Sequence, residues 1–169
     1  MRSGFFTAVF LTFYLALPAQ NVQPSEAFPF SITLFRTDST TLPSAQVLKK
    51  GKPTVLAFWL TTCLPCHIEL GSYAKNYEAW KKEADFNLFA ISIDFQERFA
   101  KVQEMTREKK WPFPVYWDAH RAFKNILPGG LNGLPQVFLF DKEGKLVWQH
   151  KRYASGDEAE LFAQIKALK

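Results

Sequence analysis

The sequence predicts an α/β domain, a small mixed β-sheet flanked by helices. Three observations predict it. Two short, nearly uninterrupted apolar runs, 54–60 and 86–94, have the length and make-up of strands buried on both faces. Each is followed by a stretch whose apolar residues recur at helical spacing, and strand–helix–strand–helix order is the pattern of a parallel βαβ unit. Two further apolar runs near the end are joined by a tight turn, which adds antiparallel strands to the sheet.

The chain has 169 residues, enough for one domain plus a leader. Nearly half of it (47%) is apolar, with 17 Phe and 5 Trp, so a packed core is possible and a disordered chain is excluded. The net charge is +5, yet no Lys/Arg tract or basic-aromatic array occurs, so nucleic acid is not an expected partner. Lys49-Lys50 and Glu108-Lys109-Lys110 read as solvated faces.

In order along the chain, residues 1–19 hold one cation, Arg2, followed by an uncharged apolar run from Phe5 to Leu17. This is the pattern of a secretory signal peptide ending at Ala19. An uncleaved N-terminal anchor is the competing reading, although the run is short for a span of about 20 residues. No Cys follows the run, which excludes a cysteine-linked lipid anchor. Either way the domain is expected outside the cytoplasm, periplasmic or extracytoplasmic. Residues 20–29 read as a linker and 30–169 as the domain.

FSITLFRTDST (30–40) reads as an extended segment or hairpin arm, and 42–53 as a turn-rich connection. TVLAFWL (54–60) is the central strand. In the helix that follows, Cys66, Leu70, Tyr73, Tyr77 and Trp80 fall on one face, and Pro65 fits the first turn, where a missing N–H costs nothing. After the strand 86–94, Asp94 and Glu97 have capping-box spacing, predicting a helix with Phe95, Phe99, Val102 and Met105 inward. WPFPVYWD (111–118) is a short extended piece and 119–127 a short helix ending at Pro128-Gly129-Gly130. LPQVFLF (134–140) and KLVWQHKRY (145–153) flank Asp141-Lys142-Glu143-Gly144, a hairpin turn with Gly where positive φ is needed. Ser155 and Glu158 have the spacing to cap a last helix with Leu161, Phe162, Ile165 and Leu168 inward.

The chemistry is concentrated in Cys63-Leu64-Pro65-Cys66-His67, and Cys63 and Cys66 are the chain's two cysteines. A pair this close cannot staple a fold, because the loop it closes is tiny. C-x-x-C-H is the spacing that attaches a c-type haem, and C-x-x-C at a strand-to-helix turn is a redox dithiol. Haem would need a helical domain and a distal ligand from among Met105, His120 and His150; the surrounding strands speak against it. Zinc would need His67, His120 or His150 to complete its set. The dithiol reading uses the turn itself: the first turn of a helix stabilises a thiolate at Cys63, and Cys66, three residues on, can close the ring. A thiol peroxidase would need a Thr three residues before its Cys, where Leu60 stands.

KKGKPTVLAFWLTTCLPCHIEL together with GLPQVFLFDKEGKLV resembles the TlpA/ResA-like thioredoxin family, exported thiol-disulfide oxidoreductases of bacteria. The resemblance covers roughly 28–169. It implies a thioredoxin fold with an N-terminal extended segment and a central βα insertion. It also implies that Cys63 and Cys66 are the redox pair, that Glu69 is the carboxylate that takes the Cys66 proton, and that Pro135 is a cis-proline facing the pair. Trp59 matches the Trp ending the first strand; with Thr62, Leu64, Pro65 and Leu134 it would line the substrate surface. The implied function is protein disulfide reduction with no cofactor beyond the pair. Clients would be protein disulfides, apocytochrome c among them, and an upstream thiol electron donor, membrane-embedded, would recharge the pair. An oxidant or isomerase of the same fold is the alternative. Three positions depart from the pattern: Thr62 for a second Trp, His67 for Lys or Arg, and Gly71 for a proline.

Overall fold

A computed structural model of the chain describes residues 32–168. The expected signal peptide or anchor, the linker and the first two residues of the expected domain lie outside the described residues.

One seven-stranded sheet runs in the order β2-β1-β5-β4-β3-β6-β7. Its centre is β3 (Thr54–Trp59), flanked by β4 (Asn87–Ser92) in parallel and by β6 (Gln136–Phe140) antiparallel. All six residues of β3 are buried, as the continuous apolar run predicts. β7 (Leu146–Lys151) pairs antiparallel with β6 through the Asp141–Gly144 turn; Gly144 has φ 82°, and the Asp141 carboxylate accepts the Lys145 N–H at 2.8 Å. β5 (Val115–Trp117) adds in parallel to β4. The N-terminal extended segment is a hairpin, β1 (Thr33–Arg36) and β2 (Thr41–Pro43), whose first strand joins β5 antiparallel.

Helices cover both faces. The face bearing Val55, Ala57 and Trp59 packs against α2 (Leu64–Glu83), α3 (Phe99–Lys109) and α5 (Asp157–Ala167), with Trp80 stacked on Phe162 at 4.9 Å. The face bearing Leu56 and Phe58 packs against Leu48, just after α1 (Ser44–Val47), and against α4 (Phe123–Ile126). The predicted inward positions Cys66, Leu70, Tyr73 and Trp80 of α2 are buried, and Tyr77 packs at the edge of the same core.

Three local expectations are corrected. Asp94 caps no helix: Phe95 is extended, a 3₁₀ turn (Gln96–Arg98) follows, and α3 starts only at Phe99. Phe95, expected inward, is 60% exposed, with the Arg121 guanidinium 4.5 Å above its ring. Ser155 does not cap α5. Gly156 occupies that position at φ 106°, and Glu158 instead accepts from the Gly156 N–H and the Tyr153 hydroxyl. The predicted helix 119–127 shrinks to α4, because Asp118 captures the N–H groups of Ala122 and Phe123, and Arg121 turns left-handed at φ 52°.

Candidate active site

Chain direction gathers the site at one end of the sheet. β3 ends at Trp59, and the turn Leu60–Thr62 delivers Cys63 to the N-cap of α2. The turn closes through the Cys63 N–H to the Leu60 carbonyl at 3.0 Å. Pro65 sits at the start of α2, where no helical N–H is lost. Cys63 and Cys66 are joined by a disulfide, and Cys63 Sγ accepts the Cys66 N–H at 3.3 Å. The two sulfurs differ in access: Cys63 is half-buried, whereas Cys66 is fully buried among Trp59, Leu70 and Tyr73. Thr62, Leu64 and Pro65 are exposed around Cys63, Leu64 at 68%.

Thr61 is the buried residue of the turn. The carboxylate of Asp94, at the end of the adjacent strand, accepts both its N–H (2.8 Å) and its hydroxyl (2.7 Å). Asp94 also takes the Ser92 hydroxyl at 2.9 Å, and its carbonyl accepts the Trp117 indole N–H at 2.8 Å. The cysteine-bearing turn is thereby tied to β4.

Glu69, one turn beyond Cys66, is buried on the same face of α2. Burial pushes its carboxyl from the ordinary 4.5 up to about 7; a hydrogen bond from the Tyr73 hydroxyl works against the rise, and the charge of Asp157 adds to it. Among the described residues its Oε1 has no hydrogen-bond partner, and the same holds for the buried Trp59 indole N–H. Tyr73 is in turn pushed well up by burial and by Glu69. A carboxyl that titrates near neutrality and has one free oxygen can accept a proton from its neighbourhood.

The Leu134–Pro135 peptide bond is cis. Phe58 pairs with Gln136 in the β3–β6 register, so Leu134 and Pro135 lie level with Trp59 and the turn that follows it. Trp59 is wholly buried, edge-on to Trp111 at 5.1 Å and to His67 at 6.0 Å, so it forms core beneath the site and not its surface. Every position expected in the site therefore falls at this end of the molecule. Local sequence reading missed three others. His67, weighed as part of a haem or zinc site, bonds the Leu60 carbonyl at 3.0 Å. Tyr73, read as core, also touches Glu69; the i, i+4 spacing of Glu69 and Tyr73 was the available signal. Asp94 was read as a cap. Among the described residues no group of three His, Cys, Asp or Glu could hold a metal ion, and no helix is long and apolar enough to cross a membrane.

A disulfide across C-x-x-C at the start of the main helix, a cis-proline level with it and this sheet order define a thioredoxin-fold protein. The chain belongs to the AhpC/TSA family, whose pattern matches residues 25–149, and within it to the TlpA/ResA-like group. It is similar to the thiol-disulfide oxidoreductase ResA of Bacillus thuringiensis (strain Al Hakam), 34% identical over 59% of this chain and 55% of that one. It is also similar to the sporulation thiol-disulfide oxidoreductase A of Bacillus subtilis, 21% identical over 78% of this chain and 75% of that one. Among solved structures, a thioredoxin-like protein from Porphyromonas gingivalis superimposes with a TM-score of 0.70 and 30% identity, covering 82% of this chain and 89% of that one. The chain spans little more than half the length of the ResA proteins it matches.

Proposed function

We propose that the protein is an exported thiol-disulfide oxidoreductase that reduces disulfides in partner proteins. The observation that carries this is the asymmetry of the pair, an accessible Cys63 at a helix N-cap and a buried Cys66 one turn from a carboxyl that titrates near neutrality.

The cycle starts from the reduced pair. The Cys63 thiolate, favoured by the free N–H groups of the first turn, attacks one sulfur of the partner disulfide. That S–S bond breaks, the released partner thiolate takes up a proton, and a mixed disulfide forms. Cys66 gives its proton to Glu69 and attacks Cys63 Sγ, expelling the second partner thiolate. Two electrons have moved to the partner, and Cys63–Cys66 is left as the disulfide seen here. An upstream thiol donor in the membrane returns the pair to the dithiol. The exposed Thr62, Leu64 and Pro65 and the Leu134 backbone beside the cis-proline are the surface for an extended client segment. Apocytochrome c with its own C-x-x-C-H oxidised is the client class that the family resemblance implies.

An equilibrium redox titration, scored by alkylation of Cys63 and Cys66, tests the direction. Thioredoxin lies at about −270 mV and the oxidant DsbA at about −120 mV. A midpoint near the first supports the reductant; one near the second makes the protein an oxidant or isomerase. Thiols that resist alkylation after full reduction would overturn the dithiol chemistry itself.

A further inference from the structure

His67 directly follows the pair, and its ring is tied into the turn that carries the nucleophile. Nε2 lies 3.0 Å from the Leu60 carbonyl oxygen, and the Cys63 N–H donates to that same oxygen at 3.0 Å. A carbonyl can only accept, so Nε2 carries the hydrogen and Nδ1 is the basic nitrogen. Two donors on one oxygen put the ring within two hydrogen-bond lengths of the Cys63 amide. The His67 N–H also donates to the Cys63 carbonyl at 3.2 Å, so backbone and side chain both fix the histidine against the cysteine. The edge contact with Trp59 holds the ring on its inner side. On the outer side it lines a groove of about 600 Å³ with Gly71, Ser72, Tyr153 and Glu158, so a proton can reach it from solvent.

We infer that His67 is a positioning residue for Cys63 that also brings it a titratable charge: the protonated imidazole stabilises the Cys63 thiolate, so that the nucleophile stays reactive as the surroundings acidify. The inference rests on the dithiol reading above. Protonation at Nδ1 leaves the Leu60 bond intact and adds a full positive charge beside a helix N-terminus that already favours the thiolate. A cation close to a thiol lowers the thiol's pKa, and a shift of about one unit is tenfold in thiolate. The other charged groups around the ring do not supply this effect. Glu158, across the groove on α5, is engaged by the Tyr153 hydroxyl (2.7 Å) and the Gly156 N–H (3.1 Å). Lys75 is exposed two turns further along α2. Glu69 is on the buried face of α2, and Asp94, two residues past the end of β4, is taken up by Thr61 and Ser92. A Lys or Arg at this place would hold its charge at every physiological pH; a histidine makes the charge conditional.

The test is the rate of iodoacetamide alkylation at Cys63 in the reduced full-length protein, mapped by peptide mass from pH 5 to 9. His67→Gln keeps a donor for Leu60 and removes the charge, whereas His67→Lys makes the charge permanent. At pH 6 we expect His67→Gln to react about tenfold more slowly than the parent, and His67→Lys at least as fast as the parent. At pH 9 the parent and His67→Gln should converge. Superimposable parent and His67→Gln profiles overturn the inference, and so does a His67→Lys as slow as His67→Gln. Should the variants fail to fold, proton NMR of the parent decides: linkage requires the His67 ring titration to move to higher pH on reduction, and a curve indifferent to redox state overturns the inference. A Cys63 that cannot be alkylated in the fully reduced parent sinks the dithiol reading itself; an alkylated Cys63 indifferent to residue 67 sinks only this inference.

Discussion

The Asp94 carboxylate holds Thr61 with both of its oxygens, Oδ2 to the backbone N–H at 2.8 Å and Oδ1 to the hydroxyl at 2.7 Å. Both residues are buried, so the exchange with water that usually offsets a hydrogen bond is lost if either partner goes. Removing the carboxylate by Asp94→Ala strands the Thr61 N–H and hydroxyl together with the Ser92 hydroxyl. We expect a loss of about 2–4 kcal/mol in urea unfolding, and about half of that for Asp94→Asn, which keeps one acceptor oxygen. Equal stability of the alanine variant and the parent would show that the clamp contributes nothing.

This contact also shows where local reading stops. Asp94 and Glu97 have capping-box spacing, and a window of a few residues offers no rival. The partner that wins is 33 positions away, on the turn after the neighbouring strand. It comes into reach only because β3 and β4 run parallel and end together, which brings the Ile93 N–H to the Trp59 carbonyl at 3.0 Å. With Asp94 turned inward, Phe95 is left outside. What was legible followed from local pattern: the wholly buried β3 from its continuous apolar run, the α2 stripe from Cys66 to Trp80 from helical spacing, and the turn at Gly144 from its glycine. The redox pair was legible because two cysteines at this spacing have few other uses. The cis bond before Pro135 was legible only through family resemblance, and the anchoring of His67 on Leu60 not at all, since a carbonyl leaves no mark in a sequence.

Glu69 makes stability depend on pH. Its carboxyl is raised in the folded protein from 4.5 to about 7, chiefly by burial. The folded state therefore holds a proton that the unfolded chain has released, and stability falls as pH rises. The contribution is fully present below 4.5 and is lost as pH rises through 7, a total of about 3 kcal/mol. Glu69→Gln cannot ionise, so the disulfide form of this variant should resist urea better than the parent at pH 8 and about equally at pH 4.5. A parent that shows no such slope relative to Glu69→Gln would contradict the buried, raised carboxyl. In turnover the same variant should accumulate the mixed disulfide at Cys63, because Cys66 has lost its proton acceptor; non-reducing gels of quenched reactions read this directly.

Tyr73 acts on that same carboxyl. Its hydroxyl holds the Glu69 pKa down against the larger effect of burial. Tyr73→Phe keeps the ring in the core and removes the hydroxyl. The Glu69 titration, followed by carbon-13 NMR of the side-chain carboxyl, should then move above 7. An unchanged or lower midpoint would mean that the hydroxyl is not aimed at Glu69.

Gly71 separates the needs of the helix from those of the site. It lies within α2, where glycine costs about 1 kcal/mol relative to alanine because it has more backbone freedom to lose on folding. It is not required by space, since a Cβ built there meets nothing within 4 Å. Nor is it required by φ, because its backbone is helical and it is absent from the positive-φ glycines. Gly71→Ala should therefore stabilise the protein by about 0.5–1 kcal/mol in urea unfolding. Gly71 lines the same groove as His67, and the new methyl would meet no atom there within 4 Å. The alkylation rate of Cys63 should accordingly stay at the parent's value. A stabilised variant with slowed Cys63 would mean that flexibility of α2 at Gly71 serves the chemistry; a destabilised one would mean that the open space beside Gly71 is closed in solution.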